Sequence, residues 1–247
     1  MEPKKTVLIV GGTGGIGSEI VKIFHANNFR VYATYFSNEA KAKELCKNLP
    51  FCKTIKCDMR NEEEVQKTID FVVSDADGID VFVNSATPKL KLKLFETISS
   101  EEFFEDISTI LLGTANFLRK IVPIMKKKKA GTIINIISEA AVKPLPRMTS
   151  YSSAKAGLLG LLQSLSQEVK AFNIKIVSIS PSFVETSLLN AFPQKLLELE
   201  REKNPKKAFI KPEEIARAIF TITSNQEKYM NGDNIVIKNE DDLKQFQ

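Results

Sequence analysis

Thr6-Val7-Leu8-Ile9-Val10-Gly11-Gly12-Thr13-Gly14-Gly15-Ile16-Gly17 is the stretch that decides the fold. Its first five residues are a short apolar run rich in β-branched side chains, which reads as a buried strand. Gly11 stops the run. A helical pattern follows, with Ile16, Ile20, Val21, Ile23 and Phe24 at the apolar positions. Strand, glycine turn and helix in that order suit an anion. Free backbone N–H groups at a helix start can hold a pyrophosphate, and glycine lets the phosphates come close. The glycines fit two registers, GxGxxG through Gly12, Gly14 and Gly17, and GxxxGxG through Gly11, Gly15 and Gly17. The flanking strand and helix give either register its meaning.

Outward from there, strands and helices alternate. Arg30–Tyr35 reads as a second strand. In a dinucleotide fold an acidic residue near its end bonds the ribose 2′-hydroxyl of NAD. Here that place holds Tyr35-Phe36-Ser37-Asn38, with no carboxylate before Glu39. A missing anion removes repulsion toward a 2′-phosphate, and Ser37, Asn38 and Lys41 are at hand to bind one. NADP(H) is therefore expected in preference to NAD(H).

Further strands are expected at Lys53–Cys57, Ile79–Asn84, Thr132–Ile137, Lys175–Ser180 and Asn234–Ile237. Helices are expected over Glu39–Asn48, after the cap Asn61, from the cap Ser100 to about Met125 with Pro123 bending or ending it, at Tyr151, and from Pro212. No linker, internal repeat or low-complexity segment interrupts the alternation. The expected fold class is α/β. It is a single doubly wound parallel sheet, a Rossmann fold, with helices on both faces, filling one domain over residues 1–247.

Composition narrows the function. A chain of 247 residues with 43% hydrophobic and 26% charged content is ordinary for a soluble globular protein. The formal charge of +5 comes partly from Lys126–Lys129 and from Lys89, Lys91 and Lys93. No aromatics interleave with these lysines, which argues against nucleic acid as a partner. Cys46, Cys52 and Cys57, with His25 as the only histidine, match no metal-ligand spacing. Reduced thiols, no metal site and a cytoplasmic location are expected. Val7–Val10 is too short for a signal peptide, and no later run is expected to reach membrane-spanning length.

Chemistry is carried by Tyr151-Ser152-Ser153-Ala154-Lys155 together with Ser138. Tyr151 and Lys155 stand four apart at the head of a helical pattern, so phenol and ammonium project from one face. A nearby cation favours the ionised phenol and lowers its pKa from about 10, which makes the tyrosine a usable acid or base. Ser138 follows the apolar run Thr132–Ile137 and falls at the carboxyl end of a strand, where ligands of open α/β sheets bind.

Taken together, these residues resemble the short-chain dehydrogenase/reductase family, and most of all its 3-oxoacyl-carrier-protein reductase branch. The resemblance covers nearly the whole chain. The family's TGxxxGxG appears as Val10–Gly17, its NNAG as Asn84-Ser85-Ala86-Thr87, and its PG as Pro181-Ser182. Ser138, Tyr151 and Lys155 match its catalytic serine, tyrosine and lysine. The resemblance implies cofactor contacts at Gly11, Thr13, Gly14, Gly15, Ile16, Gly17, Ser37, Asn38, Asp58, Met59, Asn84, Ser85, Ala86, Ile136, Tyr151, Lys155, Pro181, Val184 and Thr186. It implies hydride transfer between NADP(H) and a carbonyl or alcohol carbon, with a small-molecule or acyl-carrier-linked substrate, a 3-oxoacyl thioester among them. A homodimer or homotetramer is implied through the helices starting near Glu101 and Tyr151.

Two departures stand out. The family's asparagine before the serine strand, which holds a water linking the lysine to solvent, falls here on Ile110. Either Ser108 or Thr109 substitutes, or the relay runs another way, or turnover is slow. The Gly-Gly pair near the C-terminus is Lys238-Asn239. These departures motivate an alternative, a catalytically impaired NADP-binding regulatory module. Residues 186–211, with Leu188, Leu189, Phe192, Leu196, Leu197 and Leu199 among basic residues, read as a substrate lid or as a packed amphipathic helix.

Overall fold

A computed structural model of the chain describes residues 5–246, so the outermost ends of the expected domain lie outside the described residues. Seven strands form one sheet: β1 (Lys5–Val10), β2 (Phe29–Tyr35), β3 (Cys52–Lys56), β4 (Val81–Asn84), β5 (Gly131–Ile136), β6 (Ile174–Pro181) and β7 (Asn234–Ile237). All pairings are parallel, in the order β3-β2-β1-β4-β5-β6-β7. Parallel neighbours need crossover connections, and the crossovers put helices on both faces. That is why the central strands read as continuous apolar runs, while the edge strand β3 does not. On β1, Leu8 and Val10 point to one core while Val7 and Ile9 point to the other.

The first core lies beneath α3 (Glu62–Ala76), α5 (Gly113–Lys128) and α6 (Thr149–Val169), which contribute Val65, Ile69, Phe117, Ile121, Leu158 and Leu162. The second lies beneath α1 (Gly15–Ala26) and α8 (Pro212–Ser224), through Ile20, Val21, Phe24, Ile215, Ile219 and Ile222. Shorter helices are α2 (Glu39–Cys46), α4 (Ser100–Asp106), α7 (Gln194–Glu202) and α9 (Glu240–Leu243).

Strand order reverses at β1 and β4, and the register there aligns the functional segments. Val10 pairs with Asn84, Asn84 with Asn135, and Asn135 with Ser178. The glycine turn, the segment after Asn84, Ser138 and the segment after Pro181 therefore leave the sheet along one edge. A crevice at the carboxyl ends of strands flanking a reversal is where such sheets bind ligands.

Several expectations need correction. The helix expected after Ser100 is capped by Ser99: its hydroxyl accepts from the Glu102 N–H at 3.2 Å, and the Glu102 carboxylate accepts from the Ser99 N–H. Pro123 does not end that helix, which runs on to Lys128. Pro123 and Arg119 are both exposed, so the carbonyl that loses its partner faces solvent. The irregularity lies upstream, where Ile107–Leu112 forms a π-helical turn between α4 and α5. Cys46 and Cys52 are joined in a disulfide, against the expected reduced thiols. The turn between α2 and β3 brings their Cα atoms to 5.5 Å. Finally, the helical run Ser100–Lys128 is, by length and composition alone, long and apolar enough to cross a membrane. Half of its most apolar window is buried, as in a core helix.

Candidate active site

Gly11 leaves β1 with φ +76°, a conformation that favours glycine. A Cβ there would lie 2.8 Å from Ala86 Cα, so the glycine turn and the segment after β4 are pressed together. Gly17 packs against the turn itself, where a Cβ would meet the Gly11 carbonyl at 2.1 Å. Gly14 caps α1 without a side-chain hydrogen bond, and no acidic residue occupies the first turn of α1. The backbone N–H groups at this helix start thus face the crevice with no carboxylate competing for them. Side chains at Gly11 and Gly15 would collide with Ala86 and Thr186, so glycine at both places lets the turn pack closely while the helix start stays open to an anion, and the cradle fits a dinucleotide.

The crevice opens into one cavity of about 1270 Å³. Ser138, Tyr151 and Lys155 all line it. So do Gly11, Thr13, Gly14, Gly15, Ile16, Ser37, Asn38, Asp58, Met59, Ser85, Ala86, Ile136, Pro181, Val184 and Thr186. Two residues implied as cofactor contacts do not line it. Gly17 is buried inside the turn. Asn84 is 2% exposed and its side chain is fully used, donating to Thr114 Oγ1 at 2.7 Å and accepting from the Ala86 N–H at 3.1 Å.

At the adenosine end, Asn38 spends its side-chain oxygen capping α2, accepting from the Lys41 N–H at 2.9 Å, and Lys41 lies outside the lining. Arg60, not foreseen from the sequence, stands there instead. Its guanidinium bonds both oxygens of Asp58, at 2.7–3.1 Å, and stacks 5.2 Å from the centre of the Phe36 ring. The Arg60 side chain holds the Asp58 carboxyl below its usual range.

At the other end, α6 carries Tyr151 and Lys155 into the first core, 5% and 3% exposed. Lys155 Nζ donates to the Ile136 carbonyl at 2.7 Å and sits 5.8 Å from the centre of the Tyr151 ring. Burial pulls its ammonium down to about 7. Burial also pushes the Tyr151 phenol up to about 12. The Ser138 hydroxyl beside it lowers the value, the Asp106 carboxyl raises it, and the Thr87 hydroxyl lowers it. The phenol is thus raised where the sequence led us to expect it lowered: desolvation dominates, and the contributions that oppose it come from two hydroxyls.

Ile110 is fully buried, and its carbonyl accepts from Thr114 Oγ1 at 2.6 Å. Of the two expected substitutes for the family's asparagine, Ser108 donates to the Glu105 carbonyl at 3.1 Å and lines a separate groove, while Thr109 lines the main cavity.

The cavity is also walled by Leu90, Leu145, Met148, Phe183, Leu188 and Phe192, with Lys89, Lys143 and Lys203 in the lining. The segment carrying Leu188 and Phe192 is an excursion whose stems are tied. The Glu185 N–H donates to the Ile210 carbonyl at 2.9 Å, and the Ile210 N–H donates to the Phe183 carbonyl at 3.2 Å. Lys126–Lys129 instead end α5 just before β5, at the amino edge of the sheet, opposite Ser138.

The fold and the convergence of serine, tyrosine and lysine beside a dinucleotide cradle define a class, the nicotinamide-dependent oxidoreductases. The family model described as Enoyl-(Acyl carrier protein) reductase matches residues 11–239, and the chain belongs to the short-chain dehydrogenase/reductase family. It is an NAD(P)-dependent oxidoreductase. The 3-oxoacyl-[acyl-carrier-protein] reductase of Rickettsia felis is 31% identical over 239 residues, covering 94% of each chain. That of Thermotoga maritima is 29% identical over 232 residues, 92% of this chain and 94% of its own. Among solved structures, levodione reductase superposes with a TM-score of 0.88 at 23% identity, over 98% of this chain and 99% of its own. The 3-ketoacyl-(acyl-carrier-protein) reductase of Brucella melitensis, complexed with NADH, does so at 0.88 and 24% identity, over 96% and 97%.

Proposed function

We propose that the chain reduces a carbonyl group on an apolar substrate, with NADP(H) preferred over NAD(H), and that a 3-oxoacyl thioester is the leading substrate class. The observation that carries this reading is the meeting of Ser138, Tyr151 and Lys155 in the cavity that the glycine turn opens. When bound, the dinucleotide supplies or accepts the hydride. Gly11, Thr13, Gly14, Gly15 and Ile16 would hold its pyrophosphate. Ser37 and Asn38 would meet the 2′-phosphate, and Asp58 and Met59 the adenine. Ser85, Ala86, Ile136, Pro181, Val184 and Thr186 would border the nicotinamide half.

Ser138 orients the substrate oxygen by hydrogen bonding. Tyr151, held protonated by burial, gives its proton to that oxygen as negative charge develops there. Lys155 lies within the same buried cluster and would bond the nicotinamide ribose. Residues 186–211 act as a lid that closes Leu188 and Phe192 over the substrate and excludes water.

Association into a homodimer or homotetramer is part of the reading. Phe104 and Leu112 stand 60% and 45% exposed on the outer side of the Ser100–Lys128 run, a surface that suits a second copy. Acyl-carrier docking at Lys126–Lys129 is less well supported, because that cluster lies at the sheet edge away from this chain's own cavity. A cytoplasmic location also belongs to the reading, and the Cys46–Cys52 bond weighs against it.

The test is Tyr151→Phe, assayed by NADPH consumption with a 3-oxobutanoyl thioester. We expect turnover to fall by roughly 10²–10⁴-fold with NADPH binding retained. Undiminished turnover in the variant would refute the assignment. NADPH binding without turnover of any carbonyl by the native chain would favour the regulatory module instead.

A further inference from the structure

We propose that Arg60 is the residue that tells NADP(H) from NAD(H): one edge of its guanidinium is held by Asp58, and the other binds the 2′-phosphate. The inference deepens the proposed cofactor preference and rests on it.

Hydrogen bonds place Arg60 at the end of β2. Thr34 ties that end to the glycine turn: its carbonyl accepts from the Gly12 N–H at 2.9 Å, and its hydroxyl accepts from the Gly11 N–H at 3.3 Å. The adenosine ribose of a dinucleotide cradled by the turn would therefore face the segment after β2. β3 is the next strand, and the Cys57 N–H donates to the Tyr35 carbonyl at 2.9 Å. Residues 57–60 thus leave the sheet beside Phe36 and Ser37. The Arg60 guanidinium closes the gap between the two segments, 5.2 Å from the centre of the Phe36 ring. Among the residues of these two strand ends that line the cavity, Arg60 alone carries a positive charge.

The way Arg60 spends its donors leaves it ready for an anion. Nε donates to Asp58 Oδ1 at 2.9 Å and to Oδ2 at 3.1 Å, and Nη2 donates to Oδ2 at 2.7 Å. These bonds use the side edge of the guanidinium. Nη1 makes no hydrogen bond among the described residues, so the end edge, Nη1 with the second N–H of Nη2, stays free. Two parallel donors on that edge match two oxygens of a phosphate. Asp58 holds the plane from one edge and Phe36 covers one face, so the fork loses little freedom when it binds. Asp58 also offsets the positive charge, so what Arg60 offers is directional more than long-ranged. The ribose 2′-hydroxyl of NADH would give the same edge one uncharged oxygen and gain little. A lysine could not do the same work, because an ammonium is a point charge without two edges.

The test is the binding of NADPH and of NADH by titration calorimetry to the native chain, Arg60→Gln, Arg60→Lys and the double variant Asp58→Asn/Arg60→Gln. The Arg60 side chain is 38% exposed, so these changes leave the core untouched. The quantity read is the Kd for NADH divided by the Kd for NADPH, which cancels any loss common to both. We expect Arg60→Gln to lower this ratio by about 10–100-fold, chiefly through NADPH, and Arg60→Lys to restore only part of it. Removing Arg60 also uncovers the Asp58 carboxylate, which would itself repel a 2′-phosphate. The double variant removes that charge, and its ratio should stay well below the native one. A ratio unchanged in Arg60→Gln, or back at the native value in the double variant, overturns the proposal. The two readings fail separately. A native ratio well above one that survives in Arg60→Gln refutes the role of Arg60 and leaves the preference standing. A native ratio near one that falls further in Arg60→Gln refutes the preference and upholds the contact.

Discussion

The Ser150 hydroxyl donates to the Asp106 carboxyl at 2.5 Å, and the two side chains are 4% and 8% exposed. The pair ties α4 to the first turn of α6, one residue before Tyr151. Burial raises the Asp106 pKa, and the hydrogen bond from Ser150 only partly offsets this. A carboxyl whose folded pKa lies above its unfolded value of about 3.9 favours folding fully at low pH, and that contribution declines as pH rises through the folded value. Asparagine mimics the neutral form and still accepts from Ser150. We therefore expect Asp106→Asn to be more stable than the native chain by about 1 kcal/mol at pH 7.5, with the difference vanishing near pH 4. Thermal melts across that range check it, and a variant less stable at pH 7.5 would show that the charge is compensated.

Lys155 gives the opposite sign. Its folded pKa of about 7 lies below the unfolded value of about 10.4. The neutral amine is favoured in the fold, so its contribution to stability is complete above about pH 10.4 and is lost as pH falls toward 7. Replacing a buried amine by an unbranched apolar side chain removes that penalty. Lys155→Met should melt higher than the native chain at pH 6, by roughly 1–3 kcal/mol, and this advantage should shrink by pH 10. Activity should be lost throughout. A lower melt at pH 6 would mean that Lys155 is stabilised as a cation.

Sequence and structure agree where periodicity carries the signal. The central strands and the strand–glycine–helix order of Thr6–Gly17 could be read directly, because burial on both faces leaves short apolar runs bounded by glycine and turn residues. Ser138, Tyr151 and Lys155 could be paired because their spacing has a geometric meaning on a strand end and a helix. What could not be read depends on contacts between distant segments. Asp106 meets Ser150 across 44 positions, and Arg60 meets Phe36 from a neighbouring strand end. The backbone hydrogen bonds of Asn84 and Asn38 could not be read for a similar reason. A short polar side chain near a ligand site is equally able to bind its own backbone, and here both do.

Cofactor preference is open to a direct test at Ser37. Ser37 lines the adenosine end of the cavity, and no carboxylate precedes Glu39 after β2. Ser37→Asp would place an anion where a 2′-phosphate is proposed to bind and would offer the ribose 2′-hydroxyl of NADH an acceptor. We expect the Kd for NADPH to rise about 10–100-fold and that for NADH to change little or fall. Equal losses for the two dinucleotides would place the phosphate elsewhere.

The glycine turn packs against the start of the proposed lid through Gly15 and Thr186. A Cβ on Gly15 would lie 2.6 Å from Thr186 Cγ2 and 2.9 Å from its Cβ, too close for either to stay in place. Thr186 is held by its own N–H, which donates to the Val184 carbonyl at 2.7 Å, and its hydroxyl accepts from the Leu188 N–H at 3.3 Å. Displacing it therefore moves the residues that follow, Ser187 and Leu188. Gly15→Ala should weaken NADPH binding by 10-fold or more, since misplacement of about 1 Å in a preformed site is costly. Thr186→Ser removes the nearer of the two clashing carbons while keeping the hydroxyl. Combined with Gly15→Ala, it should recover part of the lost affinity, although alone it should change binding little. Such non-additivity is the signature of two residues in contact. Strictly additive effects on NADPH Kd would show that the turn and the lid respond independently.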